Sequence, residues 1–145
     1  MRILYALLLY MFPIIGFAQI SLTDFNQNFN SNPKTIIIYF YTDWCGICKI
    51  QEKQLYNRPE IMKVLNDQSY FLKINGESKE PIQFLNSQFL VENFSENHSF
   101  VRAFFEEKSI SYPLWIILDK DLNVLGKYEG LIKIKEFKKL LSQLN

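Results

Sequence analysis

The sequence predicts one α/β domain in which helices cover both faces of a mixed β-sheet. Two uncharged runs of β-branched and aromatic residues, at 35–41 and 114–118, have the composition of strands buried on both faces. Residues 131–144 carry apolar side chains at helical spacing between lysines, which predicts an amphipathic helix against the sheet. The predicted helices and strands alternate along much of the chain, and this order is typical of layered α/β domains.

The first 18 residues have the pattern of a signal peptide. One positive charge precedes a long apolar stretch, and the small residues Gly16 and Ala18 suit a cleavage site before Gln19. We therefore expect a signal peptide at 1–18 and one domain at 19–145. The apolar stretch is shorter than the roughly 20 residues that span a bilayer, so membrane anchoring is expected only if this segment stays uncleaved. We expect an exported protein in a compartment where disulfides form and persist.

Local patterns define the elements in the first half of the domain. Apolar residues recur at spacings of three and four in the predicted helices and form β-branched or aromatic runs in the predicted strands. Ser21 or Thr23 can cap the first helix, and Pro59 interrupts the helical pattern that begins at Cys45. The predicted elements are helix 21–30, strand 35–41, helices 45–57 and 60–66, and strand 69–75.

The second half begins with a long segment, 76–112, between two predicted strands. Within it, Asn86-Ser87 separates two apolar runs and predicts a hairpin. Asn93 and Glu96 form a capping pattern that predicts a helix. A polar turn then separates the last two strands. The predicted elements are hairpin strands 82–85 and 88–91, helix 93–108, strands 114–118 and 124–128, and helix 131–144.

The only two cysteines, Cys45 and Cys48, lie where the first strand ends and a helix begins. Unpaired N–H groups and the helix dipole favour negative charge there, and a Cys-x-x-Cys pair at a helix start can lower a thiol pKa from about 8.5 to roughly 3.5–7.5. We expect Cys45, which precedes the helix, to be the more exposed sulfur and the attacking nucleophile. Cys48 then resolves the mixed disulfide.

The segment Asp43-Trp44-Cys45-Gly46-Ile47-Cys48-Lys49 resembles the active site of the thioredoxin superfamily, in which a tryptophan precedes a Cys-Gly-x-Cys-Lys turn after a buried strand. The resemblance implies a thioredoxin fold, in which 76–112 is an insertion before a cis-proline strand. This insertion is similar to that of exported thioredoxin-like proteins of the Bacteroidetes type, and this similarity implies the periplasm of a Gram-negative bacterium. The resemblance also implies a redox-active Cys45–Cys48 disulfide, with no other cofactor and no metal.

The same resemblance assigns residues that bind a partner. Tyr112 and Pro113 take the family's cis-proline place beside the cysteine pair, where the residue before the proline offers backbone hydrogen bonds to a bound peptide. Leu114 stands where the family usually has threonine, and Ile47 stands where thioredoxin has proline. The residues assigned to partner binding are Trp44, Gly46, Ile47, Tyr112 and Pro113.

Two further residues are candidates for proton transfer. Thioredoxins commonly carry an acid six residues before the first cysteine, and this chain has Tyr39 there, which cannot act as a carboxylate base. Lys73 falls near a family lysine on the neighbouring strand, so Tyr39 and Lys73 beneath Cys48 are a candidate arrangement. The single histidine, His98, lies in the insertion, where we expect a surface or helix-terminal role.

Charge and motif together define the expected function. The chain has 16 Lys and Arg against 15 Asp and Glu, a balance that argues against nucleic-acid binding. We expect an exported thiol–disulfide oxidoreductase, a reductase or electron carrier, whose partners are protein thiols or disulfides and an unidentified electron donor or acceptor. Two alternatives stay open. One is a metal-binding protein or metallochaperone that uses Cys45, Cys48 and a third ligand such as His98, and the other is a thioredoxin-like interaction module whose cysteines are incidental.

Overall fold

A four-stranded sheet forms the centre of the fold in the computed structural model, which describes residues 19–92, 96–106 and 110–144. The predicted signal peptide, 1–18, lies outside the described residues. The strands of this sheet are β1 (Thr35–Tyr41), β2 (Ser69–Asn75), β5 (Leu114–Leu118) and β6 (Val124–Glu129), and a separate hairpin consists of β3 (Ile82–Phe84) and β4 (Ser87–Phe89).

The order of the strands, β2-β1-β5-β6, makes the sheet mixed, as predicted. β1 runs parallel to β2 and antiparallel to β5, and β6 runs antiparallel to β5. All five residues of β5 and the five central residues of β1 are buried. Both uncharged runs are therefore central strands that are covered on each face, as their composition predicts.

One face of the sheet carries Tyr39 and Trp115, which are opposite each other in the β1–β5 register. The helix α2 (Gly46–Tyr56) covers this face, because the hydroxyl of Tyr39 donates a hydrogen bond to the carbonyl oxygen of Cys48. The final helix, α5 (Ile134–Ser142), covers the same face through Phe137, whose ring contacts that of Trp115. α3 (Pro59–Gln68) contacts β2 and lies between α2 and α5.

The other face of the sheet carries Tyr70 and Phe40. Phe25 of α1 (Leu22–Asn28) contacts the Tyr70 ring, and Phe100 of α4 (Ser99–Arg102) contacts the Phe40 ring. Phe84 of the hairpin contacts both Phe25 and Phe100. The insertion therefore adds a second aromatic layer to this face, and the prediction of helices on both sides of the sheet is confirmed.

Local sequence signals explain where two helices begin. The backbone N–H of Asp24 donates a hydrogen bond to the Ser21 hydroxyl (3.0 Å), so Ser21 caps α1, as predicted. Pro59 is the first residue of α3, a position where its missing N–H costs no helical hydrogen bond. The proline therefore separates α2 from α3, as predicted.

The predicted helix at 93–108 is wrong in its length. The helix in this segment, α4, has only four residues, and residues 93–95 and 107–108 of the prediction lie outside the described part of the chain. α4 begins at Ser99 because His98 caps it: the backbone N–H of Phe100 donates to Nδ1 of His98 (3.1 Å). Of the two roles predicted for His98, surface or helix-terminal, the structure shows the helix-terminal one, and the side chain is buried.

The last helix begins later than predicted. α5 starts at Ile134 instead of 131, because the backbone N–H and carbonyl of Ile132 both bond the side chain of Gln51 in α2. Those two hydrogen bonds hold residue 132 outside the helix, and Leu131 consequently remains exposed. The rest of the predicted apolar face is confirmed, with Phe137 and Leu141 buried in the core.

Candidate active site

Cys45 and Cys48 form a disulfide at the start of α2, directly after β1 and its short connecting turn. Cys45 is the N-cap of the helix, and the backbone N–H of Cys48 donates a hydrogen bond to the Cys45 sulfur (3.0 Å). An N–H group and the positive end of the helix dipole both favour a thiolate at that sulfur when the pair is reduced. The predicted junction of a central strand and a helix therefore carries both sulfurs.

Cys45 is the more exposed of the two cysteines in the disulfide form, as predicted. Cys45 is only 3% exposed and Cys48 is 1% exposed. The Cys45 sulfur faces the first turn of α2, where the Cys48 N–H donates a hydrogen bond to it. The order of exposure is as predicted, but both residues are buried.

The residues next to the disulfide present apolar surface to solvent. Trp44 is 69% exposed, and Ile47 and Ile50 in the first turns of α2 are 47% and 50% exposed. A Cβ atom added at Gly46 would meet no atom of the described chain within 4 Å beyond its own neighbours. The first turn of the helix is thus open to an approaching partner.

The Tyr112–Pro113 peptide bond is cis, as predicted. Because β5 runs antiparallel to β1 and its first residue, Leu114, pairs with Phe40, Pro113 lies at the edge of the sheet where β1 leads to the cysteines. The ring of Tyr112 meets that of Trp44 edge to face, with 6.4 Å between centroids. The structure therefore brings the two predicted binding segments, 44–47 and 112–113, to the same edge of the sheet.

Beneath the pair lies Tyr39, whose hydroxyl donates to the carbonyl oxygen of Cys48 (3.2 Å). Burial, with a smaller contribution from the negative charge of Glu52, raises the pKa of Tyr39 far above its ordinary value, so the hydroxyl stays protonated. Lys73 lies opposite Tyr39 in the β1–β2 register, but its ammonium group pairs with Glu52 (2.7 Å) and lies over the ring of Tyr41 (4.3 Å). The structure thus gathers both proton-transfer candidates on one face of the sheet.

Two residues of this site were not predicted. Glu52 stands four residues after Cys48 in α2, so the two share a helix face, and this spacing was a signal that the sequence offered. Gln51 is fully buried, and its amide accepts from the N–H of Ile132 (2.7 Å) and donates to the Ile132 carbonyl (3.2 Å). No local sequence pattern predicts that contact, because the two residues are 81 positions apart in the chain.

Both ring nitrogens of His98, the only histidine in the sequence, contact backbone atoms of the insertion. Nδ1 of His98 accepts from the N–H of Phe100, and Nε2 lies 3.1 Å from the carbonyl oxygen of Glu80. Within residues 19–92, 96–106 and 110–144, no group of three His, Cys, Asp or Glu side chains is arranged to hold a metal ion. The same residues contain no helix long and apolar enough to cross a bilayer.

A Cys-x-x-Cys disulfide at the junction of a central strand and a helix, with a cis-proline strand at the same edge, defines a thioredoxin-like protein. The model of the thioredoxin-like domain family matches residues 26–145, and the chain belongs to this family. No curated protein sequence matches the chain.

Solved structures share this fold at low sequence identity. A thioredoxin-fold protein from Helicobacter pylori is 16% identical with a TM-score of 0.61, over 77% of this chain and 68% of that one. The DsbD C-terminal domain of Neisseria meningitidis in its oxidised form is 15% identical with a TM-score of 0.56, over 85% and 91%. A disulphide isomerase from Xylella fastidiosa Temecula1 is 15% identical with a TM-score of 0.56, over 83% and 86%. These likenesses concern the fold alone.

Proposed function

We propose that the protein is an exported thiol–disulfide oxidoreductase that exchanges disulfides with partner proteins and acts as a reductase or electron carrier. The observation that carries the proposal is the position of the Cys45–Cys48 disulfide, with the Cys45 sulfur at the N-cap of α2 and the Cys48 N–H on it. Membership of the thioredoxin-like family supports the same chemistry.

The reaction transfers two electrons from the reduced pair to a partner disulfide. The Cys45 thiolate attacks one partner sulfur, so that a mixed disulfide forms and the other partner sulfur leaves as a thiolate that takes up a proton. Cys48 then loses its proton, and its thiolate attacks the Cys45 sulfur. The mixed disulfide breaks, the second partner thiolate leaves, and the Cys45–Cys48 disulfide is restored. A dithiol electron donor then reduces the pair by the reverse exchange.

The partner approaches over the residues that flank the pair. The exposed side chains of Trp44 and Ile47, together with the open space at Gly46, support docking of an extended peptide here. In this proposal the backbone of Tyr112, next to cis-Pro113, pairs with that peptide. Apolar contacts from Trp44 and Ile47 would strengthen the docking of partner segments that bury apolar side chains beside their cysteine.

Insulin reduction by dithiothreitol tests the redox proposal. We expect the mature protein to accelerate the reaction, and Cys45→Ser to abolish the acceleration. Cys48→Ser should instead accumulate a mixed disulfide with insulin, since Cys45 can attack but nothing resolves the product. Activity that survives in the double serine variant would favour the interaction-module alternative. Stoichiometric zinc binding by a reduced protein that forms no disulfide would favour the metal-binding alternative.

Proton removal from Cys48 is proposed to depend on the charge of Lys73 and on the hydrogen bond that the protonated Tyr39 hydroxyl donates to the Cys48 carbonyl oxygen. The Lys73 charge lies beneath α2 and favours a nearby thiolate, while Glu52 partly cancels it. Lys73→Met leaves Glu52 unpaired, so we expect disulfide closure to slow and its pH–rate profile to move to higher pH. Lys53→Met is the matched control, because it removes an exposed lysine from α2, the helix that carries Cys48. Profiles that superimpose for Lys73→Met, Tyr39→Phe and the unmodified protein would exclude this role.

Export is proposed from the pattern of residues 1–18. We expect cells that express the full chain to hold it in the periplasm with Gln19 as its first residue. Mass spectrometry of the periplasmic fraction measures this directly. A chain that keeps Met1 and stays in the membrane fraction would contradict cleavage and indicate an anchor.

A further inference from the structure

The aromatic side chains that flank the cysteine pair are held by residues of the insertion. Nε1 of Trp44 donates a hydrogen bond to the Glu77 carboxylate (2.9 Å). The hydroxyl of Tyr112 donates to Oδ1 of Asn97 (2.6 Å). The two rings contact each other at an interplanar angle of 88°. Both hydrogen-bond acceptors, Glu77 and Asn97, belong to 76–112.

The insertion is itself anchored to the end of the strand that leads to the cysteines. The N–H of Gly76 donates to the carbonyl oxygen of Tyr41 (2.8 Å), and the N–H of His98 donates to the carbonyl oxygen of Gly76 (2.7 Å). These bonds join the beginning of the insertion to residues 97–98. These bonds therefore hold Glu77 and Asn97 in place relative to β1 as well as relative to each other.

Tyr112 also packs directly on the backbone of the insertion. A Cβ atom at Gly76 would lie 2.3 Å from the Tyr112 hydroxyl oxygen and 2.6 Å from Cζ, so only glycine leaves room for the ring. Burial, with the charge of Glu77, raises the pKa of Tyr112 well above its ordinary value, so the hydroxyl remains a donor to Asn97. Tyr112 therefore packs against Gly76 and Asn97 while its ring contacts that of Trp44.

Trp44 is fixed in orientation yet open to solvent. Its one polar atom is satisfied by Glu77 and its ring is supported by Tyr112, while most of its surface is exposed. A large apolar side chain held in one orientation loses little conformational entropy when a partner binds. Trp44 therefore suits an extended polypeptide that covers several residues, whereas a small disulfide can reach the sulfurs without covering it.

We propose that the insertion sets the substrate class of the site: Glu77 and Asn97 position Trp44 and Tyr112 for disulfides in polypeptide segments with apolar side chains beside the cysteine. Reaction with small disulfides does not depend on these two residues. The proposal rests on the proposed function, whose chemistry it takes as given.

Two substrates separate docking from chemistry. The reduced protein reacts with insulin, a polypeptide disulfide, and with glutathione disulfide, a small hydrophilic one, and both second-order rate constants are measured. For Glu77→Ala we expect the second-order rate constant with insulin to fall about three- to tenfold, as suits the loss of one hydrogen bond. The rate constant with glutathione disulfide should change by less than about twofold. The reduction potential should be unchanged. Asn97→Ala should show the same split.

Matched variants test the role of the hydrogen bond. Glu77→Gln keeps an acceptor oxygen for Trp44 and should retain most of the insulin rate. Glu80→Ala removes the same charge from the same loop, and the hydrogen bonds of Glu80 to described residues are made by its backbone, so it should behave as the unmodified protein. Iodide quenching of tryptophan fluorescence should increase in Glu77→Ala, because Trp44 becomes freer.

Several results would overturn the proposal. An equal fall for both disulfides would mean that Glu77 acts on the cysteines and not on docking. An insulin rate that is unchanged in both Glu77→Ala and Asn97→Ala would mean that the insertion does not control docking. If the unmodified protein reduces neither disulfide, the proposed function itself fails. This result differs from the other two because the unmodified protein then has no activity that a substitution could lower.

Discussion

One added methyl group at Gly76 should displace Tyr112. In Gly76→Ala the new Cβ atom would lie 2.3–2.6 Å from three atoms of the tyrosine ring and hydroxyl. Ordinary contact between carbon atoms is about 3.5–4.0 Å, so the ring must retreat by about 1 Å. That movement breaks or strains the 2.6 Å hydrogen bond to Asn97. Gly76 is outside the left-handed region, so the backbone itself accepts alanine.

The expected cost combines overpacking with a lost hydrogen bond. Overpacking typically costs about 1–3 kcal/mol and a hydrogen bond about 1 kcal/mol, so Gly76→Ala should lower the free energy of unfolding by about 2–4 kcal/mol. Urea unfolding followed by circular dichroism measures the change, and an unaltered m-value shows that the transition remains comparable. Gly46→Ala is the control, since the space there is open and alanine favours the helix.

A double-mutant cycle identifies the cause of that loss. In a Tyr112→Ala background the ring is absent, so adding Gly76→Ala should cost less than about 0.5 kcal/mol. If Gly76→Ala is as stable as the unmodified protein, Tyr112 does not pack on Gly76. If the cost is the same in both backgrounds, the clash is with something other than the ring.

Two further substitutions test contacts elsewhere in the fold. Gln51→Leu removes both side-chain bonds to Ile132 and should lower the unfolding free energy by about 2–3 kcal/mol, as measured in urea. Burial holds the pKa of His98 below its ordinary value of about 6.5, so the folded state favours the neutral ring. Stability should therefore fall as the pH drops below about 6.5, until the lower folded-state pKa is passed. His98→Asn keeps a capping acceptor and should reduce this pH dependence between pH 7 and 5; an equally steep decline would assign it to other groups.

Features written in short stretches of sequence were predicted well. The bounds of β1 followed from an uncharged run of β-branched and aromatic residues, and those of β2 from a largely apolar run that includes Lys73 and is ended by Asn75-Gly76. The cysteine pair was predicted at a strand-to-helix junction because the strand run and the helical pattern meet there. The cis isomer at Pro113 was expected only from the resemblance to a family, since local sequence does not determine it.

Features that depend on distant residues were not predicted. The capping pattern at Asn93 suggested a long helix, yet α4 begins after His98, whose ring is fixed by the backbone of Glu80, 18 residues earlier in the chain. The bond from Trp44 to Glu77 spans 33 residues and joins a turn to an insertion. No periodicity encodes such pairs, so the residues that hold the candidate site together became apparent only in three dimensions.

The exposure of Cys45 illustrates a different limit. Its position before the helix predicted the more exposed sulfur of the pair, and the 3% exposure of Cys45 against 1% for Cys48 agrees with that order, but both cysteines are buried in the disulfide form. Oxidation state is not written in the sequence. The prediction of a nucleophilic Cys45 concerns the reduced form, in which the sulfur is released from this bond to Cys48.

The measurement that tests the redox assignment most directly is the reduction potential of the Cys45–Cys48 pair. Protein comprising residues 19–145 is equilibrated in dithiothreitol or glutathione buffers, and free thiols are trapped and counted. A reductase or electron carrier should titrate as one two-electron couple near the thioredoxin value of about −270 mV. A value near about −120 mV would instead indicate a protein that donates disulfides, and failure to form the intramolecular disulfide in any buffer would contradict thiol–disulfide exchange altogether.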